Sequence, residues 1–294
     1  MTMESLNHSV NPIATSATGK SKGASRQRGS LKPSVFWGIA EDIPTWLQWS
    51  LMVVSILLPI VLWWYFSHLE SANGVFLPKP EAVWAALQDL AQKGLLAQDF
   101  WSSVSRVFIG FFFAAIISIP IGIGMGAFAS IRALFEPAIG LLRYMPAPAF
   151  VPLLILYMGI DEAPKVMLIF IGTVFYNTLM VMDAVKFVPK HLIETTYTLG
   201  GNRRQTLMRV ILPYILPNVI DTFRINIAAS WSLVIVAELI AAQVGLGKRI
   251  SLAQRFLHTD QIFAYLLVLG IIGFVIDLSC RWLLHATCRW SLKS

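Results

Sequence analysis

Six stretches of the chain are apolar for about 20 residues each, the length an α-helix needs to cross a bilayer, with polar segments between them. They cover residues 47–66, 107–128, 138–157, 166–185, 218–241 and 262–284. Trp46, Trp49, Trp63, Trp64 and Tyr65 flank the first, as interfacial aromatic belts do. The pattern predicts an all-α polytopic membrane protein of about six transmembrane helices. Between the first two stretches the period changes. Pro80 opens a segment to Gln92 with Val83, Trp84 and Leu87 on one side, which predicts an amphipathic helix along the membrane surface.

Two spans carry helix-perturbing residues. The second contains Gly110, Pro120, Gly122, Gly124 and Gly126, a spacing that lets helix backbones approach closely in lipid. The third has Pro146, Pro148 and Pro152, too many for one straight helix, which leaves a structurally kinked helix and a broken helix lining a pathway both open. Irregular backbone at membrane depth is tolerated where it faces protein or a cavity. Charges inside spans are candidates for solute contact. Arg143, next to Tyr144, is placed a turn or more into the third span and Arg224 about two turns into the fifth, both near the cytoplasmic end. Asp221 shares a helical face with Arg224, so an internal pair and a pathway contact are both open. Asp277 and Arg281, four apart, read as a pair. Glu238 lies in an apolar run near the outer end of the fifth span. Closing a gate and bonding to the 243–248 turn are its candidate roles.

The polar stretch 186–217 has a pattern of its own. Leu192, Ile193, Thr196, Tyr197 and Leu199 share one helical face. Gly200 and Gly201 stop that helix, because glycine takes the left-handed conformation at little cost. Asn202 is placed to cap a second helix through Leu207 and Val210, and Pro213 to end it. Two short helices at a sharp bend form a knuckle suited to docking into a partner.

Composition fits this picture. Of 294 residues, 56% are hydrophobic and 13% charged, with mean hydropathy +0.66; a soluble domain carries about 25% charge. The net charge of +7 is spread over loops without a nucleic-acid recognition pattern, and so reads as topology. Fourteen Lys and Arg residues fall on the segments that include both termini and the knuckle, and seven on the opposite set. The positive-inside bias then places both termini and the knuckle in the cytoplasm. Residues 1–42 are Ser-, Gly- and Lys/Arg-rich and read as a disordered basic cytoplasmic tail, without the early apolar core of a secretory signal. Residues 43–294 form the transmembrane domain. Cys280 and Cys288 read as reduced bystanders. The five histidines lack metal-ligand spacing, and no phosphate-cradling Gly-rich loop with Lys and Ser/Thr appears.

Glu194, Gly200, Val210, Leu212 and Pro213, at their spacing, resemble the Glu-Ala-Ala loop of ABC importer permeases. Thr195 and Thr196 stand in place of its alanines. Leu77-Pro-Lys-Pro80, Ser105-Arg-Val107, Pro152-Leu-Leu154, Gly159-Ile-Asp-Glu-Ala-Pro-Lys165, Ala237-Glu238 and Gly245-Leu-Gly247 are similar to the nitrate/sulfonate/taurine branch. The resemblance implies a type I ABC importer permease fold in a bacterial inner membrane. It implies a non-catalytic subunit that binds no cofactor, with ATP and Mg on partner ATPase subunits. A second permease copy and a periplasmic solute-binding protein are the other implied partners. The coupling residues it implies are Glu194, Thr195, Thr196, Tyr197, Leu199, Gly200, Arg203, Leu212 and Pro213. The solute is expected to be an alkanesulfonate, taurine or nitrate. The alternative, an ion-gradient-driven secondary transporter, calls for inverted repeats with two matched broken helices; the sequence has one such break.

Overall fold

A computed structural model describes residues 43–69 and 74–292, so the N-terminal tail lies outside the described residues. Every regular element among those residues is helical. The chain divides into two units, residues 1–58 and 59–294. In the first, the described part is the start of helix α1 (Thr45–Ser67). In the second, α1 continues from Pro59, Trp63 stacks on Phe263 with ring centroids 5.5 Å apart, and its Nε1 donates to the Pro78 carbonyl at 3.1 Å.

After α2 (Pro80–Gln92) come α3 (Leu95–Ala127), α4 (Ala129–Leu142), a 3₁₀ turn (Ala147–Phe150), α5 (Val151–Met158) and α6 (Glu162–Lys186). Then follow α7 (Lys190–Thr198), α8 (Arg203–Thr206), a π-helical turn (Leu207–Ile211), α9 (Leu212–Ala241), α10 (Leu246–Arg255) and α11 (Thr259–Thr287). Among the described residues, five helical segments are long and apolar enough to cross a membrane. The pair Ala129–Leu142 and Ala147–Met158, bent by 82°, makes the sixth span if it is counted as one.

Close packing holds the long helices together, because lipid offers little hydrophobic drive between them. α3 and α6 touch along their length. A Cβ on Gly122 would stand 2.7 Å from the Thr178 carbonyl oxygen, so only glycine admits this approach. Polar residues inside α6 are satisfied locally. The Thr173 and Thr178 hydroxyls each donate 2.7 Å to the carbonyl four residues earlier.

Three expectations change. α3 begins at Leu95 rather than at 107, because its first turns carry polar side chains that pair inside the protein. The third span begins at Ala129 rather than at 138, with Arg132 folded back onto the end of α3. Its Nε donates 3.0 Å to the Met125 carbonyl and its Nη2 donates 3.1 Å to that of Gly126. Pro213 does not end a helix. The preceding π turn, in which Leu212 N–H donates to the Leu207 carbonyl, widens the coil where the proline ring would meet the Arg209 carbonyl. α8 therefore runs on into α9, and the helical segment extends from Arg203 to Ile240.

Candidate functional site

The knuckle is built from the end of α6 outward. Ile211 and Ile215 pack on Val181, Val185 and Val188, with Ile193 and Leu207 partly buried against them. That apolar seat holds α7 beside the ends of α6 and α9. α7 closes in a Schellman motif: Gly200 has φ +80°, its N–H donates 3.0 Å to the Tyr197 carbonyl, and Gly201 N–H donates 2.9 Å to that of Thr196. Asn202 then caps α8 reciprocally. Gln205 N–H donates 2.9 Å to Asn202 Oδ1, and Asn202 N–H donates 2.8 Å to Gln205 Oε1.

Thr195 and Thr196 fit this short helix because their hydroxyls donate to the carbonyls of His191 and Leu192 at 2.7 and 2.8 Å. Glu194, Thr195, Gly200, Arg203 and Pro213 are exposed, while Thr196 and Leu212 are half-buried. Tyr197 is 48% and Leu199 82% exposed, so the tip offers apolar side chains flanked by one acid and several arginines. A Cβ on Gly200 would meet nothing within 4 Å in this chain, whereas one on Gly201 would stand 2.6 Å from Thr196 Cγ2.

The pathway candidates separate. Arg143 and Tyr144 lie at the break between α4 and α5, on a cavity of about 550 Å³ walled by the middles of α6 and α9. Arg143 does not lie near an end of the third span as expected: it follows Leu142, the last residue of α4, and its carbonyl accepts the Tyr176 hydroxyl at 3.0 Å, level with the middle of α6. Arg224 does not line that cavity. It pairs with Asp221 at 3.2 Å and with Asp277 on α11 at 3.0 Å, and Asp277 also pairs with Arg281 at 2.7 Å.

Glu238 is fully buried in a polar cluster at the other end of the helices. It accepts from Ser103 Oγ at 2.7 Å, Arg106 Nη1 at 2.6 Å and Gly247 N–H at 2.8 Å. Arg106 also pairs with Glu162, Nη2 to Oε1 at 2.8 Å. Beside it, buried Asp99 accepts from Gly245 N–H at 2.9 Å, Arg249 Nε at 2.8 Å and Tyr265 OH at 3.0 Å. Sequence reasoning missed Asp99, Ser103 and Tyr265 in this cluster. The available signal was the four-then-three spacing of Asp99, Ser103 and Arg106, which sets all three on one helical face.

Residues 118–287, more than half of the chain, match the family of the binding-protein-dependent transport system inner membrane component. The chain belongs to this family. The permease is 33% identical over 248 residues to the taurine transport system permease protein of Escherichia coli, covering 83% of this chain and 90% of that one. It is 27% identical over 266 residues to the bicarbonate transport system permease protein of Synechococcus elongatus, covering 84% and 93%. Its fold matches a chain of an inward facing MetNI methionine ABC transporter with TM-score 0.61 and 19% identity, over 67% of this chain and 98% of that one. This is the type I ABC importer permease fold. The chain is a transmembrane permease subunit of an ABC importer of the inner membrane, which sets aside the secondary transporter.

Proposed function

We propose that this permease imports a small oxyanion, taurine or another alkanesulfonate, nitrate or bicarbonate, driven by ATPase subunits that seat against the knuckle. The geometry of the knuckle carries the reading. A Schellman stop on α7 and a capping box on α8 fix the bend between them, while Tyr197 and Leu199 stay exposed between Glu194 and Arg203. The names of the relatives, taurine and bicarbonate permeases, support the solute class.

In this reading residues 1–42 are a basic cytoplasmic tail and residues 43–294 form the permease domain, with both termini and the knuckle in the cytoplasm. ATP and Mg are held by the partner ATPase subunits, and this chain binds no cofactor. Two permease copies enclose the pathway within the lipid bilayer, since a two-fold pair is the commonest closed assembly. A periplasmic solute-binding protein delivers the solute. Closure of the ATPases draws the two knuckles together and switches the pathway from inward-facing to outward-facing.

Gly200→Val tests it. The left-handed backbone penalises any branched side chain, and the site lies where the partner surface comes closest. ATPase co-purification is expected to be lost while permease abundance in the membrane holds; Glu194→Ala is expected to weaken it more mildly. Full ATPase binding and uptake in Gly200→Val would refute the coupling role.

A further inference from the structure

We propose that the cavity at the α4–α5 break is a mid-membrane binding site for one small oxyanion, with Arg143 as its cation. The site rests on the reading of this chain as an anion importer, and adds where in the permease the anion pauses.

Charge is the first argument. Arg106, Arg224, Arg249 and Arg281 each face a carboxylate at 2.6 to 3.0 Å. Among the described residues Arg143 has no carboxylate within 4.0 Å. Its Nη2 donates 2.9 Å to the Tyr144 hydroxyl, and its guanidinium lies 4.8 Å from the centroid of that ring. Its Nε is buried without a hydrogen-bond partner. An unpaired guanidinium inside a bilayer is costly, and its fixed fork matches the paired oxygens of a sulfonate, nitrate or bicarbonate.

Depth is the second. Tyr176, bonded to the Arg143 carbonyl, lies about 15 Å along α6 from Lys186 and about 21 Å from Glu162, near the middle of a roughly 30 Å hydrocarbon layer. The same cavity is lined by Asn226 on α9, whose Nδ2 donates 2.6 Å to Asn177 Oδ1, and by Thr173 on α6, so its wall is not wholly apolar. Irregular backbone, a lone cation and a cavity of about 550 Å³ thus coincide at one depth.

The test uses the full-length permease with its ATPase subunits in nanodiscs, without the solute-binding protein, in chloride-free gluconate buffer. Equilibrium binding of radiolabelled taurine, methanesulfonate, nitrate and bicarbonate is measured. At least one is expected to bind saturably, about tenfold or more weakly to Arg143→Gln and at an intermediate level to Arg143→Lys. Taurine against methanesulfonate tells whether the site reads the ammonium as well as the sulfonate. On the unmodified chain, the bound anion is expected to slow phenylglyoxal modification of Arg143, read by peptide mass mapping; this arm stands even if Arg143→Gln fails to assemble. Equal binding by Arg143→Gln, no binding of any of the four, or no protection of Arg143 overturns the site. Failure of the ATPase to co-purify with the unmodified permease would instead overturn the importer reading.

Discussion

A Cβ on Gly245 would stand 2.6 Å from both carboxylate oxygens of Glu238, so the turn before α10 closes directly over a buried acid. Gly245 has φ +135°, a region open to glycine, and its N–H is held by Asp99. Two residues later, Gly247 N–H donates to Glu238 itself. One carboxylate from α9 and one from α3 thus fix the turn, while Arg106 and Tyr265 extend the bonding to α6 and α11. This cluster sets how α10 sits on the long helices.

Removing Glu238 leaves Arg106 buried with Glu162 as its remaining acid. Glu238→Ala is therefore expected to destabilise by less than the roughly 3–5 kcal/mol that follows when a buried charge is left with no partner. Gly245→Ala is expected to lower the thermal midpoint too, since the new methyl group meets the carboxylate in a backbone region it disfavours. Fluorescence-detected size-exclusion after heating measures both. A midpoint equal to that of the unmodified protein in either variant would show that the turn is not held as described.

The outline of the fold was legible because apolar run length is governed by bilayer thickness. Where the reading failed, polar residues were satisfied by distant partners that a local window cannot see. Asp99 and Arg106 shortened the second span on paper, yet they bond to residues beyond position 160. Arg132 interrupted the third span but caps the carbonyls of α3. Pro213 looked like a stop because a proline stops a regular α-helix, and nothing local announces a π turn. The bend of the knuckle was legible for the opposite reason: the bonds of Gly200, Asn202 and Gln205 all lie within a few residues.

Arg224 is expected to act through stability. It bridges α9 and α11 through Asp277, and its loss leaves Asp221 without its cation. Arg224→Ala should lower the thermal midpoint, and uptake should fall only in proportion to permease abundance. Adding Asp221→Asn should recover part of the midpoint. Loss of anion binding by a fully stable Arg224→Ala protein would place this arginine on the pathway after all.

Within the knuckle the two glycines should behave differently. In the permease alone, Gly200→Ala costs about 1–2 kcal/mol of backbone strain and meets no neighbour. Gly201→Ala pushes its methyl group against Thr196, 2.8 Å from the carbonyl oxygen, and opens the bend. Trypsin should therefore cut after Arg203 and Arg204 faster in Gly201→Ala than in Gly200→Ala. Equal cleavage rates would mean that the close approach of Gly201 to Thr196 does not hold the bend.

The sidedness of the knuckle can be read with two single cysteines. Asn202 and Gln254 are both exposed, the first at the start of α8 and the second near the end of α10. Fourteen basic residues share the predicted side of Asn202 and seven that of Gln254, so Asn202 should face the cytoplasm and Gln254 the periplasm. With Cys280 and Cys288 replaced by serine, an impermeant maleimide should label Gln254→Cys in intact spheroplasts. It should label Asn202→Cys only after the membrane is broken or inverted. An ATPase that burns cytoplasmic ATP can reach only the cytoplasmic face, so the docking of α7 and the orientation stand or fall together. Labelling of Asn202→Cys in intact spheroplasts would overturn both, whatever the local geometry of the knuckle.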